Sequence, residues 1–176
     1  MPSGELVFDT TCPLYLTAAG HEHLLAERYG GRCYLPDEAR AEIERGEAEH
    51  NYNCRRLLTA SWWRPLAIME PEDQALFFEL LQRWGKLERN RGEAASIVLA
   101  RRLGATAVID DSQARRAAQT LGVPITGTVG ILARLTVEGR LDVSSAWAIH
   151  QGIVQLGFRS PLHSDKDLRA LVARLS

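Results

Sequence analysis

The chain has 176 residues, 45% hydrophobic and 24% charged, with 21 basic and 22 acidic side chains and a formal charge of −1. This size and composition fit one globular domain, or one with an appendage, and exclude a disordered or fibrous chain. The charge balance excludes a uniformly basic nucleic-acid coat protein, though not a local basic groove.

In chain order, Leu6-Val7-Phe8 predicts a first strand ending at Asp9, followed by a helix that Thr10 and Thr11 cap near Pro13. A second helix spans His21 to Tyr29 and stops at Gly30-Gly31. Cys33-Tyr34-Leu35 reads as the next strand, and Pro36 opens a helix through Ala39 and Ile43 that is expected to end at Gly46. A short helix over Arg55–Ala60 and an extended stretch over Pro65–Met69 follow. Phe77, Leu80, Leu81 and Trp84 then keep the i, i+3, i+4, i+7 rule after Pro71, predicting a helix with one buried stripe. Ala94–Leu103 is apolar nearly all round and ends at Gly104, as for a helix buried on several sides. Ala107-Val108-Ile109 reads as a buried strand that delivers Asp110-Asp111 at its carboxyl end. A helix through Ala114 and Leu121, a short strand Val123-Pro124-Ile125, a helix Ile131–Leu135 and two helices near 144–156 and 165–175 complete the chain.

Alternation of helices with short buried strands predicts a three-layer α/β/α sandwich around a mostly parallel sheet. One domain is expected over 1–176, with a helical elaboration at about 47–90 and C-terminal helices at about 140–176. No apolar stretch reaches the ~20 residues of a membrane span. The start Met1-Pro2-Ser3-Gly4-Glu5 lacks the basic and apolar regions of a signal peptide, so a cytoplasmic protein is expected. Cys12, Cys33 and Cys54 have no zinc-type spacing and read as buried thiols. Nineteen of the basic residues are arginine, including the pairs Arg55-Arg56, Arg101-Arg102 and Arg115-Arg116. Arginine's planar fork suits phosphate, although a GC-rich genome also raises arginine everywhere.

The acids carry the chemistry. In open α/β sheets ligands bind beyond the carboxyl ends of the strands. Asp9, Asp110 and Asp111 follow strands, Glu93 starts the buried helix, and Glu42 lies in the helix after the second strand. Two unit charges 4 Å apart repel by about 4 kcal/mol at an effective dielectric of 20, so such a cluster protonates or binds cations. Mg²⁺ or Mn²⁺ takes oxygen ligands and suits phosphodiester cleavage by activating water and neutralising phosphate. Each acid alone also has a plainer role: Asp9 and Asp111 as helix caps, Glu93 in a first turn, Glu42 on a solvated face.

Together the segments resemble the PIN-domain nucleases, and among them the VapC-like toxins. The matching pieces are Val7-Phe8-Asp9-Thr10, Leu35-Pro36 through Ala41-Glu42-Ile43, Gly92-Glu93-Ala94-Ala95, Val108-Ile109-Asp110-Asp111 with Arg115-Arg116, and Leu121-Gly122-Val123 into Thr126-Gly127-Thr128-Val129-Gly130-Ile131-Leu132. The resemblance implies a Mg²⁺- or Mn²⁺-dependent endoribonuclease. Its catalytic acids would be Asp9, Glu42, Glu93 and Asp111, and its ion would be held by Asp9, Glu93, Asp110 and Asp111. Thr10 matches the hydroxyl residue that follows the first acid, and Thr10, Arg115 and Arg116 are the expected substrate contacts. Single-stranded or looped RNA, a small antitoxin protein and a second copy of the chain are the expected partners. Trp62, Trp63 and Trp147 are candidate dimer anchors, or else pack under the appended helices. The chain departs from the family in its glutamate at the third position, its longer 47–90 segment and its helices past 140. A PIN-fold protein that binds without cutting is the alternative. A phosphatase using Asp9 as nucleophile is disfavoured, because Thr11 stands where the second acid of an Asp-x-Asp pair belongs.

Overall fold

The computed structural model describes residues 4–50, 54–85 and 90–176. Its strands are β1 (Leu6–Phe8), β2 (Cys33–Pro36), β3 (Trp63–Leu66), β4 (Thr106–Val108) and β5 (Ile125–Thr126). Its helices are α1 (Thr11–Ala18), α2 (His23–Tyr29), α3 (Asp37–His50), α4 (Arg55–Thr59), α5 (Pro71–Trp84), α6 (Arg91–Leu103), α7 (Ser112–Thr120), α8 (Thr128–Val137), α9 (Val143–Gln155) and α10 (Asp165–Leu175). The strands form one all-parallel sheet in the order β3-β2-β1-β4-β5. The three-layer α/β/α sandwich expected from the pattern is the fold.

The two central strands are apolar because both of their faces are covered. Leu6, Val7 and Phe8 are fully buried, as are Ala107 and Val108. Val7 and Ala107 point to one core, built with Leu81, Ile97 and Leu99 of α5 and α6. Leu6, Phe8 and Val108 point to the other, with Leu16, Leu25 and Leu132 of α1, α2 and α8. Helix α6 packs against β1, β2 and β4 as well as α3 and α5, which is why its sequence is apolar nearly all round.

Three expectations shift. Helix α3 runs through Gly46 to His50; one interior glycine costs about 1 kcal/mol relative to alanine, too little by itself to end a helix packed on α6. The segment 47–90 is not purely helical, since it contributes β3, paired with β2 from Cys33↔Trp63 to Pro36↔Leu66. Arg64 and Pro65 disguise this strand in the sequence, and Pro65 is tolerated because β3 is an edge. Residues 51–53 and 86–89 of that segment lie outside the described residues. The last strand begins at Ile125, two residues later than expected, and α8 starts at Thr128. Among the described residues no helix is long and apolar enough to cross a membrane.

From β1 the chain builds outward through β2 to β3, returns through α5 and α6, and adds β4 on the other side of β1. The strand order therefore reverses between β1 and β4, which opens a crevice at their carboxyl ends. The register pairs Phe8 with Val108, and the Asp9 N–H donates to the Val108 carbonyl at 3.1 Å. Asp9 and Asp110 consequently leave the sheet side by side at this crevice.

Candidate active site

Asp9 is the innermost acid, with 1% of its surface exposed. Its Oδ1 accepts from the Thr11 N–H at 2.7 Å, in the first turn of α1. Its Oδ2 is buried and has no hydrogen-bond partner among the described residues. Burial pushes the Asp9 carboxyl well above its ordinary range, and the charges of Glu93, Asp110 and Glu42 push it further, against the lowering effect of the Thr11 N–H. Three acids from three other segments thus act on one carboxylate.

Asp110 occupies the neighbouring position. Its Oδ1 accepts from the Thr128 N–H at 2.9 Å and its Oδ2 from the Thr128 hydroxyl at 2.6 Å, both at the start of α8. Burial raises its pKa; the Thr128 bonds and the nearby Arg115 guanidinium oppose the rise. Gly127 makes this approach possible, because a Cβ there would lie 2.5 Å from Asp110 Oδ1.

Glu42 reaches the site from α3. Its Oε2 accepts from the Thr10 hydroxyl at 2.7 Å and its Oε1 from the Gly92 N–H at 3.0 Å. Gly92 is the second required glycine, since a Cβ there would stand 2.7 Å from Glu42 Oε2. Glu93 follows in the first turn of α6, where the helix N-terminus favours a carboxylate.

The remaining expected site residues sit differently. Asp111 is exposed and caps α7, its Oδ1 accepting from the Ala114 N–H at 2.8 Å. Asp110 is one of the three acids whose charges act on Asp9, and Asp111, expected as the fourth acid of the cluster with Asp110 in support, is not among them. Arg115 donates to the Ile109 and Thr126 carbonyls at 2.8 and 3.0 Å and so straps β4 to β5. Arg116 is exposed on α7. Thr10 is engaged with Glu42.

Two contributors escaped the sequence reading. Thr128, inside the Gly-Thr segment, fixes both oxygens of Asp110. Glu38, one helical turn before Glu42, carries a buried Oε2 without a hydrogen-bond partner among the described residues. Burial raises the Glu38 pKa, Arg91 opposes the rise, and Asp37 and Glu42 add to it. The i, i+4 spacing of Glu38 and Glu42 was the available signal. Beneath the cluster lies the fully buried Cys12, whose thiol is pushed up by burial and by the charges of Asp110 and Asp9. All three cysteines are buried, and none forms a disulfide among the described residues.

The donor set is entirely oxygen, and the orphaned Asp9 Oδ2 is the feature a hard cation would satisfy. Against this, among the described residues no three or more His, Cys, Asp and Glu groups are arranged to hold an ion as they stand. Trp62, Trp63 and Trp147 are half-buried and make ring contacts within the chain. Trp62 and Trp63 stack at 4.1 Å between ring centroids, Trp63 meets Phe8 edge-on, and Trp147 stacks on His150.

A parallel α/β sheet with acids gathered at its topological switch point is the architecture of a PIN-type domain. The DUF3368 family model, a PIN domain, matches residues 5–163, and the chain belongs to this family. No curated protein matches the chain.

Proposed function

We propose that the chain is a Mg²⁺- or Mn²⁺-dependent endoribonuclease of VapC-like type, acting in the cytoplasm on single-stranded or looped RNA. The observation that carries the reading is Asp9: a buried carboxylate at the switch point, one oxygen without a partner, under the charge of three further acids. Asp9, Glu93 and Asp110 would hold the ion. When bound, it lowers the pKa of water and neutralises charge on the phosphate and the leaving oxygen.

The chain's own residues supply the positioning. Glu42 ties the Gly92 end of α6 to Thr10, which sets Glu93 toward the crevice. Thr128 and Arg115 hold Asp110 and the β4 and β5 ends around it. Asp111 stands at the exposed rim, available to an ion or substrate through its second oxygen. A small antitoxin and a second copy of the chain remain the proposed protein partners, and a monomeric mass in solution would remove the second copy.

Cleavage of RNA with Mn²⁺ by the native chain and by Asp9→Asn tests the proposal; equal activity in both refutes it. The competing reading, a PIN-fold protein that binds without cutting, draws on the lack of a preformed ion-holding group among the described residues. Calorimetry with Mn²⁺ separates the two, since absence of binding at millimolar ion favours the non-catalytic protein.

A further inference from the structure

A groove of about 960 Å³ starts at Asp110 and follows the free edge of β5, between the start of α8, the segment 159–162 and α10. Four arginines line it, Arg115, Arg134, Arg159 and Arg174, and Asp110 is the one acid among its lining residues. The sequence drew attention to arginine pairs, yet several of those are engaged elsewhere. Arg102 meets Glu70 and Asp73, and Arg56 meets Glu22. In the groove, by contrast, Arg159 and Arg174 are exposed and, among the described residues, make no ion pair. The Arg134 Nε is buried with no hydrogen-bond partner among the described residues, while its charge acts on Glu138.

The walls are preformed. Ser160 accepts from the Leu162 N–H at 2.9 Å and lies 2.6 Å from His150 Nε2, which fixes the turn that presents Arg159. A capping box of Ser164 and Asp167 starts α10, and Leu168 and Leu171 seat that helix against α8 and α9. This wall lies past residue 163, where the family match ends.

Charge argues for the occupant. The acids at the crevice repel a phosphate chain, so a strand held beside them needs cationic anchoring close by. Guanidinium forks meet phosphate oxygens bidentately. A positively charged groove that tracks one backbone is how proteins hold a single strand.

We propose that the arginine-lined groove along β5 binds the sugar–phosphate backbone of single-stranded RNA and leads it to Asp110. The inference rests on the nuclease reading only for what the strand is led to. Each phosphate contact to a single strand adds about 0.7 to the slope of log affinity against log salt, so losing two lowers it by about 1.4, or about 25-fold at 0.1 M salt relative to 1 M.

The test is fluorescence anisotropy of a labelled mixed-sequence RNA decamer in EDTA, with the native chain, Arg159→Ala/Arg174→Ala, and Arg101→Ala/Arg102→Ala as an equal-charge control outside the groove. The groove pair is expected to lose affinity and salt dependence, the control pair neither. Equal behaviour of the two pairs overturns the inference, as does a native chain that binds no RNA in EDTA. Displacement of a Glu/Asp-rich peptide, but not of RNA, by the groove substitutions also overturns it, in favour of a protein occupant. Native cleavage with Mn²⁺ alongside unchanged RNA binding by the groove pair removes the groove and leaves the nuclease reading. RNA held through these arginines without cleavage does the reverse.

Discussion

Gly127→Ala tests whether the Asp110 position is as tightly built as its contacts imply. The Gly127 backbone is extended (φ −148°, ψ −177°), a conformation alanine adopts freely, so only the added methyl acts. That methyl would meet Asp110 Oδ1 at 2.5 Å, the Ile109 carbonyl at 3.2 Å and the Arg115 guanidinium at 3.2 Å. Overpacking of this kind costs about 1–3 kcal/mol. If Asp110 swings away instead, it forfeits hydrogen bonds from Thr128, and bonds to a charged group are worth about 1.5–3 kcal/mol each. The two routes are alternatives, so a loss of about 2–3 kcal/mol is expected. Gly152→Ala is the matched control: no atom lies within 4 Å of its added Cβ, and the position is inside α9. Alanine should stabilise there by about 0.5–1 kcal/mol. Urea denaturation reads both. With a slope of about 2 kcal/mol per molar, Gly127→Ala lowers the midpoint by about 1–1.5 M while Gly152→Ala raises it by a few tenths. Midpoints that move in the same direction, or a Gly127→Ala midpoint equal to the native one, would refute the packing argument.

Substitution of the two adjacent acids separates their roles. Asp110→Ala is expected to abolish Mn²⁺-dependent RNA cleavage, whereas Asp111→Ala keeps most of it and loses about 1 kcal/mol of stability with its cap; the opposite ranking in a cleavage assay would return Asp111 to the centre. Asp9→Asn removes a buried charge that three acids repel. In chelator its thermal midpoint should exceed the native one, and the upward shift that Mn²⁺ gives the native chain should vanish in scanning calorimetry. His150 supplies a pH dependence. Burial lowers its pKa below the ordinary 6.5, and its Nδ1 is buried with no hydrogen-bond partner among the described residues. The unfolded chain therefore binds this proton more readily, so stability is full above about pH 6.5 and falls as pH drops through that window. His150→Gln should flatten the slope of unfolding free energy between about pH 5 and 7, and an unchanged slope would count against the assignment.

What could be read from the sequence follows from physics that acts locally. Leu6-Val7-Phe8 and Ala107-Val108 announce themselves because a strand covered on both faces must be apolar throughout. The helix over Pro71–Trp84 shows its stripe for the same reason. An edge strand has no such obligation, so β3 (Trp63–Leu66), with Arg64 and Pro65, shows in the sequence only as an extended stretch set two residues late, at Pro65–Met69. The choice between Asp110 and Asp111 was illegible for a different reason. Successive side chains of an extended segment point to opposite sides, so an error of one residue in the strand end exchanges the inward acid for the outward one. The strand ends at Val108, one residue before the expected end, and Asp110 faces Thr128 while Asp111 turns to α7. Glu42 was legible as a site residue, but not that both of its oxygens would be engaged by Thr10 and Gly92, since those partners lie 32 and 50 residues away.

The hydrogen bonds around the acids explain how such a cluster is held together. Asp9, Glu42 and Asp110 each accept a backbone N–H from the start of a different helix, through Thr11 of α1, Gly92 of α6 and Thr128 of α8. Each N-terminus carries a partial positive charge of about half a unit, enough to favour the ionised carboxylate without cancelling it. An arginine partner would hold an acid just as firmly, but it would neutralise the charge and compete with a cation for both oxygens. Arg115 shows the difference: it reaches the Asp110 neighbourhood, yet it donates hydrogen bonds to the carbonyls of Ile109 and Thr126. Backbone amides thus orient the carboxylates and leave the crevice anionic, which is the condition a divalent ion requires. The glycines at 92 and 127 belong to the same arrangement, because a Cβ there would lie 2.7 Å from Glu42 Oε2 and 2.5 Å from Asp110 Oδ1, respectively.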